Sequence, residues 1–163
     1  MSFQDAVRTC LQQKYADFSG RARRSEYWYF VLFTVIVGIV AGIIDAALHT
    51  PRLGTNGLVA TIASLALLAP GMSAGVRRMH DVGRPGWIPI ALYVIGILSG
   101  FVAAGSVALS GLLGLVTLVL GITFLVFAVQ DSKPDNEHGP NPKGLGTGQA
   151  YQQMPPPPAP PQY

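Results

Sequence analysis

Phe18 to His49 reads FSGRARRSEYWYFVLFTVIVGIVAGIIDAALH, and this stretch decides the architecture. Arg21, Arg23, Arg24 and Glu26 stand directly before Tyr27, Trp28, Tyr29 and Phe30. An apolar run follows as far as His49, broken by a single acid, Asp45. A helix needs about 20 mostly apolar residues to cross a hydrocarbon core about 30 Å thick, and this run has that length. Amphipathic aromatic rings prefer the membrane–water boundary, so Trp28 and its neighbours mark where the span begins.

Composition agrees with that reading. Half of the 163 residues are hydrophobic and 12% are charged. Soluble domains carry about 25% charged residues, so the natural solvent of this chain is a bilayer. The net charge of +3 invites a nucleic-acid partner, but the basic residues gather beside apolar runs rather than along a soluble face. No nucleic-acid role is therefore expected. Cys10 is the only cysteine, which excludes an internal disulfide and a cysteine-based zinc site. The first apolar run is too long for a signal-peptide core, and no secretory signal is expected.

The same arithmetic gives an all-α fold, a four-helix transmembrane bundle in residues 1–130. Residues 2–17 form an amphipathic helix, since Phe3, Val7, Leu11 and Tyr15 recur every fourth residue. That helix fits the membrane interface and the flank of its own bundle equally well. Spans are expected at about 27–49, 57–76, 87–105 and 112–129. TPRLGTN, at 50–56, reads as a short loop, and Pro70-Gly71 should kink the second span. RRMHDVGRPG, at 77–86, reads as a charged loop. From Trp87 to Val129 no Asp, Glu, Lys, Arg or His intervenes, which suits two antiparallel helices with a turn near 106–111. Residues 131–163 are rich in Gly and Pro and read as a disordered tail, ending in a polyproline segment.

Lysine and arginine placement orients the chain. In this topology Arg52 alone falls on one side, and every other Lys and Arg falls on the opposite side. The positive-inside rule then puts both termini in the cytoplasm, with Trp28 and Trp87 as anchors at the inner interface.

Two polar clusters face each other on that side. Arg21, Arg24 and Glu26 precede span one; Arg77, Arg78, His80 and Asp81 follow span two. The charges are complementary: Asp81 can accept from Arg21 or Arg24, and Glu26 from Arg77 or Arg78. An ion-pair clamp is a common solution at a membrane edge, and anionic headgroups are the other natural partner of such arginines. His80-Asp81 resembles the metal-binding pair of phosphohydrolases, but no further ligands converge, so neither metal nor cofactor is expected. Asp45 lies one turn from His49 and reads as a hydrated Asp–His pair near the outer boundary. Gly38/Gly42, Gly71/Gly75 and Gly96/Gly100 each form a small-xxx-small face for helix packing, within a bundle or in a homo-oligomer.

The two clusters together resemble the YhaH-like bacterial inner-membrane proteins, catalogued as a domain of unknown function. The resemblance rests on Phe18, Gly20, Arg21, Arg24, Glu26 and Trp28, then on Arg77, Arg78, His80, Asp81, Gly83, Gly86 and Trp87. Asn136, Gly139 and Pro142 resemble the family's closing motif. His138 stands where an aromatic is usual, and Pro85 where serine is commoner. The resemblance implies a four-span inner-membrane protein and supplies no reaction, substrate or cofactor. The expected function is a non-enzymatic scaffold, regulator or assembly factor, whose proline-rich tail suits a soluble protein partner. The competing expectation, carried by Pro70-Gly71, the glycine faces and Asp45, is a small oligomeric transporter or channel component.

Overall fold

The computed structural model describes residues 1–53, 56–102 and 106–144. Helix α1 spans Phe3–Arg8 and continues into one π-helical turn, Thr9–Gln13. Helix α2 is Arg24–Leu48, and a two-stranded hairpin follows, β1 (Arg52–Leu53) antiparallel to β2 (Asn56–Gly57). Helices α3 (Leu58–Asp81), α4 (Trp87–Val102) and α5 (Val107–Ala128) complete the described chain. Three helices are long and apolar enough to cross a membrane: Arg24–Leu48, Leu58–Asp81 and Ala108–Ala128. Helix α4 is shorter; its 16 residues rise about 24 Å. The expected turn is not at 106–111, because Ser106 caps α5 by accepting from the Leu109 amide and the helix runs on from Val107.

Local chemistry explains the ends. Ser2 and Asp5 form a reciprocal capping box that starts α1. Glu26 lies in the first turn of α2, where the helix dipole favours an anion. Helix α3 runs five residues past its expected end and carries Arg77, Arg78 and Asp81 on a helix rather than in a loop. It stops before Gly83, whose φ of 64° is the left-handed geometry that glycine adopts without a Cβ clash.

The interior is inverted relative to a soluble protein. Arg77 and Arg78 are the largest fully buried side chains, whereas Ile43 and Leu65 are 63% and 67% exposed. A chain that exposes aliphatic residues along whole helices and buries its arginines has hydrocarbon as its outer solvent. Two small apolar cores lie toward the arginine-rich end. One joins Cys10, Phe30 and Ala74; the other joins Met79, Val82 and Ile88 with Phe124 and Phe127 alongside.

The amphipathic N-terminal helix packs against its own chain. Phe3 meets Tyr29 edge-on at 6.1 Å, and Cys10 and Leu11 join the first core. The following segment settles Pro70. Helix α3 does not open there but runs through it. Proline has no amide hydrogen to give the carbonyl one turn back, at Ala66. The Tyr15 hydroxyl donates to that carbonyl at 2.6 Å instead. Ser73, one turn further on, donates to the Lys14 carbonyl at 3.1 Å.

Three further expectations are corrected. Gly38, Gly42 and Gly96 have nothing within 4 Å of the place a Cβ would occupy, so among the described residues they pack no other helix. Gly71 and Gly75 do: a Cβ there would lie 2.6 Å from the Tyr93 hydroxyl and 3.0 Å from Pro89 Cβ. The surroundings of Gly100 are outside the described residues. The Asp45 carboxylate has no hydrogen bond or ion pair to His49 among the described residues; His49 is the left-handed residue closing α2, with a φ of 48°. The carboxylate accepts instead from the amides of Val59 and Ala60 at 2.9 and 2.8 Å and from the Thr50 hydroxyl. It thereby caps α3, whose own N-cap, Gly57, has no side chain to do so. Finally, 131–144 is not a loose tail. It folds back over the arginine-rich end, with the Lys133 amide donating to the Asp81 carbonyl at 3.1 Å. Residues 145–163, including the polyproline segment, lie outside the described residues.

Candidate functional site

The two expected clusters meet. Five segments converge at one end of the helices: the strap at Gly20–Ala22, the start of α2, the end of α3, the end of α5 and residues 130–139. Asp81, at the last turn of α3, is fully buried. Arg21 Nε donates to its Oδ1 at 3.1 Å, while Arg78 and the Ser132 hydroxyl, the latter at 2.7 Å, donate to Oδ2. The sequence left Arg21 and Arg24 open as partners of Asp81, and the structure selects Arg21.

Arg21 uses all its donors. Besides Asp81 Oδ1 they reach the carbonyls of Pro134 and Gly139, both at 3.0 Å, of Asp81 at 3.1 Å, and of Lys133. A guanidinium has five N–H groups in a fixed fork, and here each has an acceptor. One side chain thus pins the segment after α5 against the end of α3. Its approach is fixed by the backbone, since the Ala22 amide donates to the Arg77 carbonyl at 3.0 Å.

Arg78 closes the other end of the node. Its Nε donates to the Ala128 carbonyl at 3.1 Å, and further donors reach the Ala22 carbonyl at 3.3 Å and the Gln130 carbonyl. Trp28 Nε1 shares the Ala128 carbonyl at 3.3 Å, and Arg24 donates to that of Val129 at 3.0 Å. The last carbonyls of a helix have no partner within it and carry the negative end of its dipole. Arg78, Arg24 and Trp28 supply that partner for α5. This balances the charge: among the described residues Arg21, Arg77 and Arg78 form ion pairs with Glu26 and Asp81, and the extra positive charge lies against the negative end of α5.

Arg77 points toward the N-terminal segment. It pairs with buried Glu26, as the sequence allowed, and another nitrogen lies 3.7 Å from Cys10 Sγ. Its Nε is buried without a hydrogen-bond partner among the described residues. Burial pushes the Cys10 thiol up to about 11, the Arg77 charge opposing this only in part. Cys10 is therefore a neutral thiol at physiological pH.

His80 sits at the rim. Its Nδ1 lies 3.2 Å from the Gly20 carbonyl, which can only accept, so that nitrogen carries the proton. Its ring stacks on His138, centroids 3.8 Å apart and planes 13° from parallel. His138 thus fills the place of an aromatic by stacking as one. Asn136 donates to the His80 carbonyl at 2.9 Å. Arg84 lies 4.6 Å over the Phe127 ring, joining the loop after α3 to α5. Of the expected anchors, Trp28 is half-buried on α5, while Trp87 is 56% exposed at the first turn of α4. Both lie at the arginine-rich end.

The sequence missed the half of the node that is backbone. The carbonyls of Ala128, Gln130, Lys133 and Pro134 have no residue-type signature. The available signal was the closing motif around Asn136 and Gly139, which was grouped with the tail. Ser132 and Cys10 also join the node from positions no motif marks.

Comparison with known proteins agrees with this picture. Residues 15–140 match the family described as a protein of unknown function, DUF805. Inner membrane protein YhaH of Escherichia coli K12 is 31% identical over 132 residues, covering 80% of this chain and 91% of that protein. Inner membrane protein YhaI of the same strain is 38% identical over 84 residues, covering 50% of this chain and 66% of that protein. No solved structure matches. The matched interval begins at Tyr15, which serves Pro70, and ends at Pro140, just past the last carbonyl held by Arg21; the chain belongs to the DUF805 family.

Proposed function

We propose that this chain is a four-span inner-membrane scaffold protein with both termini in the cytoplasm, and that it works by display rather than by chemistry. In this reading α4 is the fourth span and the arginine node is the cytoplasmic lock of the bundle. The observation that carries it is how the node's charged groups are used. Arg21, Arg78 and Asp81 are buried and spend their hydrogen-bonding capacity on one another and on backbone carbonyls. A catalytic acid or base must reach a substrate, and groups held in this way present neither a free lone pair nor a free proton.

The lock would fix the outer surface of the cytoplasmic face, where Arg23, Arg24 and Arg84 meet anionic headgroups. From there the proline-rich tail would extend as a preordered ligand for a soluble protein. The open faces at Gly38, Gly42 and Gly96 are available to a second copy of the chain. The transporter reading keeps no specific support, because Asp45 is engaged as a helix cap and α3 runs unbroken through Pro70.

Photocrosslinking in cells from Arg24 and His80, each replaced by a photoreactive residue, tests the proposal. A discrete protein adduct from Arg24, lost when the tail is removed, is the expected result. Adducts to a small metabolite at His80, with no protein adduct from either position, would overturn it.

A further inference from the structure

A cavity of about 270 Å³ lies among the helices, lined by Tyr27, Gly71, Gly75, Tyr93, Thr117 and Phe124, with Pro89 and Leu92 beside them. Its depth is set by its lining. Tyr27 lies one turn inside α2, and Gly75 and Gly71 lie about 9 and 15 Å from the Asp81 end of α3. Thr117 lies about 17 Å from the Ala128 end of α5. The cavity therefore runs from the arginine-rich interface to about the middle of a hydrocarbon core about 30 Å thick.

Its chemistry is that of a chain site with a polar mouth. Most of the wall is aliphatic, aromatic or glycine backbone. The Thr117 hydroxyl is already used, donating to the Leu113 carbonyl at 2.8 Å. The Tyr27 and Tyr93 hydroxyls have no hydrogen-bond partner among the described residues, although each ring is well packed. A phenol held in an apolar wall normally finds an acceptor. Water fills such a volume poorly, because each water needs about three polar partners and the wall supplies few. Left empty, an apolar pocket of this size would also forfeit packing along its walls. At this depth the abundant filler is hydrocarbon. Glycine keeps the space: a Cβ on Gly75 would press to 3.0 Å from Pro89 Cβ and lie 3.7 Å from Phe124 Cζ.

We propose that this cavity binds one acyl chain of a glycerophospholipid from the arginine-side leaflet, with the Tyr27 hydroxyl, near the mouth, donating to its ester carbonyl region and the Tyr93 ring, beside Gly71, lining the deeper chain. The inference rests on the four-span reading given above. The lipid enters sideways between helices, so the site is a bound structural lipid rather than a passage across the membrane.

The test uses the full chain in phospholipid nanodiscs containing a trace of phosphatidylethanolamine with a diazirine-bearing acyl chain. Photolabelling is mapped by mass spectrometry at cavity positions Leu92, Tyr93 and Thr117. It is compared with labelling at outward positions Leu118 and Ile122, which are 59% and 54% exposed. Cavity labelling should survive brief detergent washing that strips outward labelling. Thr117→Phe, which fills the cavity, should lower cavity labelling about tenfold and leave Leu118 unchanged. Tyr27→Phe keeps the volume and should lower it about threefold to tenfold, the loss of one hydrogen bond. Cavity labelling that washes out with the outward sites, or that resists both substitutions, would overturn the site. So would crosslinks in the cavity to a second copy of the chain. If Leu118 and Ile122 also fail to label, the four-span reading falls with it; if they label normally, only the lipid site falls.

Discussion

At the arginine-rich end of the molecule Asp81 is held mainly by side chains; at the other end Asp45 is held by two amides and a threonine hydroxyl. Both carboxylates are buried, Asp81 at 0% and Asp45 at 8% exposure. Their reach differs. The partners of Asp45 lie at most 15 residues away, at Thr50, Val59 and Ala60. Asp81 draws in Arg21 and Ser132, which lie 60 and 51 residues away on either side in sequence. One cap can form as soon as the hairpin after α2 does. The other needs the strap before α2 and the segment after α5 together, so it reports that the whole chain has folded. Loop-closure cost grows slowly with length, so the distant node is affordable once the helices are in place.

The largest effect should come from Asp81→Ala. It leaves Arg21 and Arg78 buried and facing each other without a counter-charge. Removing one partner from a buried ion pair costs about 3–5 kcal/mol, and the loss should be global. Denaturant-driven unfolding of the purified chain in micelles measures it. A loss below about 1 kcal/mol would mean that the backbone carbonyls, not the carboxylate, hold the node. Asp45→Ala should act locally. Hydrogen exchange at the Val59 and Ala60 amides should speed up about tenfold, the scale of a lost helix cap, while the Arg21 end stays protected. Equal loosening at both ends would erase the distinction between the two nodes.

Tyr15→Phe sharpens the comparison in a third place. The hydroxyl on the Ala66 carbonyl repairs the gap that Pro70 leaves in α3. Its removal should cost about 1 kcal/mol, the ordinary worth of one hydrogen bond. The change should be smaller still if a bilayer-side water replaces it, and unfolding of the variant reads out the difference.

The two nodes were not equally legible in the sequence. The arginine end announced itself, because Arg, Glu, His and Asp beside apolar runs are rare enough that the two clusters could be matched by charge, although charge alone chose neither Arg21 over Arg24 for Asp81 nor Arg77 over Arg78 for Glu26. Helix existence was legible for the same reason, since hydrocarbon solvation writes long apolar runs. What stayed hidden was carried by backbone. Nothing in residue type says that Arg78 would take the end of α5, or that 131–144 would return to Arg21. Asp45 misled because His49 one turn later is the nearest polar side chain. Its true partners are amides of the next helix, reachable because Gly57 has no Cβ: one built there would sit 2.2 Å from Asp45 Cγ. The glycine pairs were legible only in part: Gly71 and Gly75 do pack closely, but spacing records which faces are flat and does not say whether this chain or a second copy covers Gly38 and Gly42.

Cys10 gives the smallest effect and the most selective readout of the difference between the ends. Burial pushes its thiol up to about 11, and only the thiolate attacks maleimide. Labelling of the folded chain at pH 7.5 should therefore run about three hundredfold slower than labelling of an unperturbed cysteine near 8.5. Below pH 11 the thiolate fraction rises tenfold per unit, so the rate should climb with pH across the accessible range. Cys10 touches Arg77, and Arg77 is tied to the node through Glu26 and the Ala22 amide. Opening the node with Asp81→Ala should admit water, lower the thiol toward its ordinary value and accelerate labelling at pH 7.5. Asp45→Ala removes a cap at the far end and should leave the rate unchanged. Acceleration by both substitutions would show that the two ends unfold as one unit, and acceleration by neither would place Cys10 in a core that stands without the node.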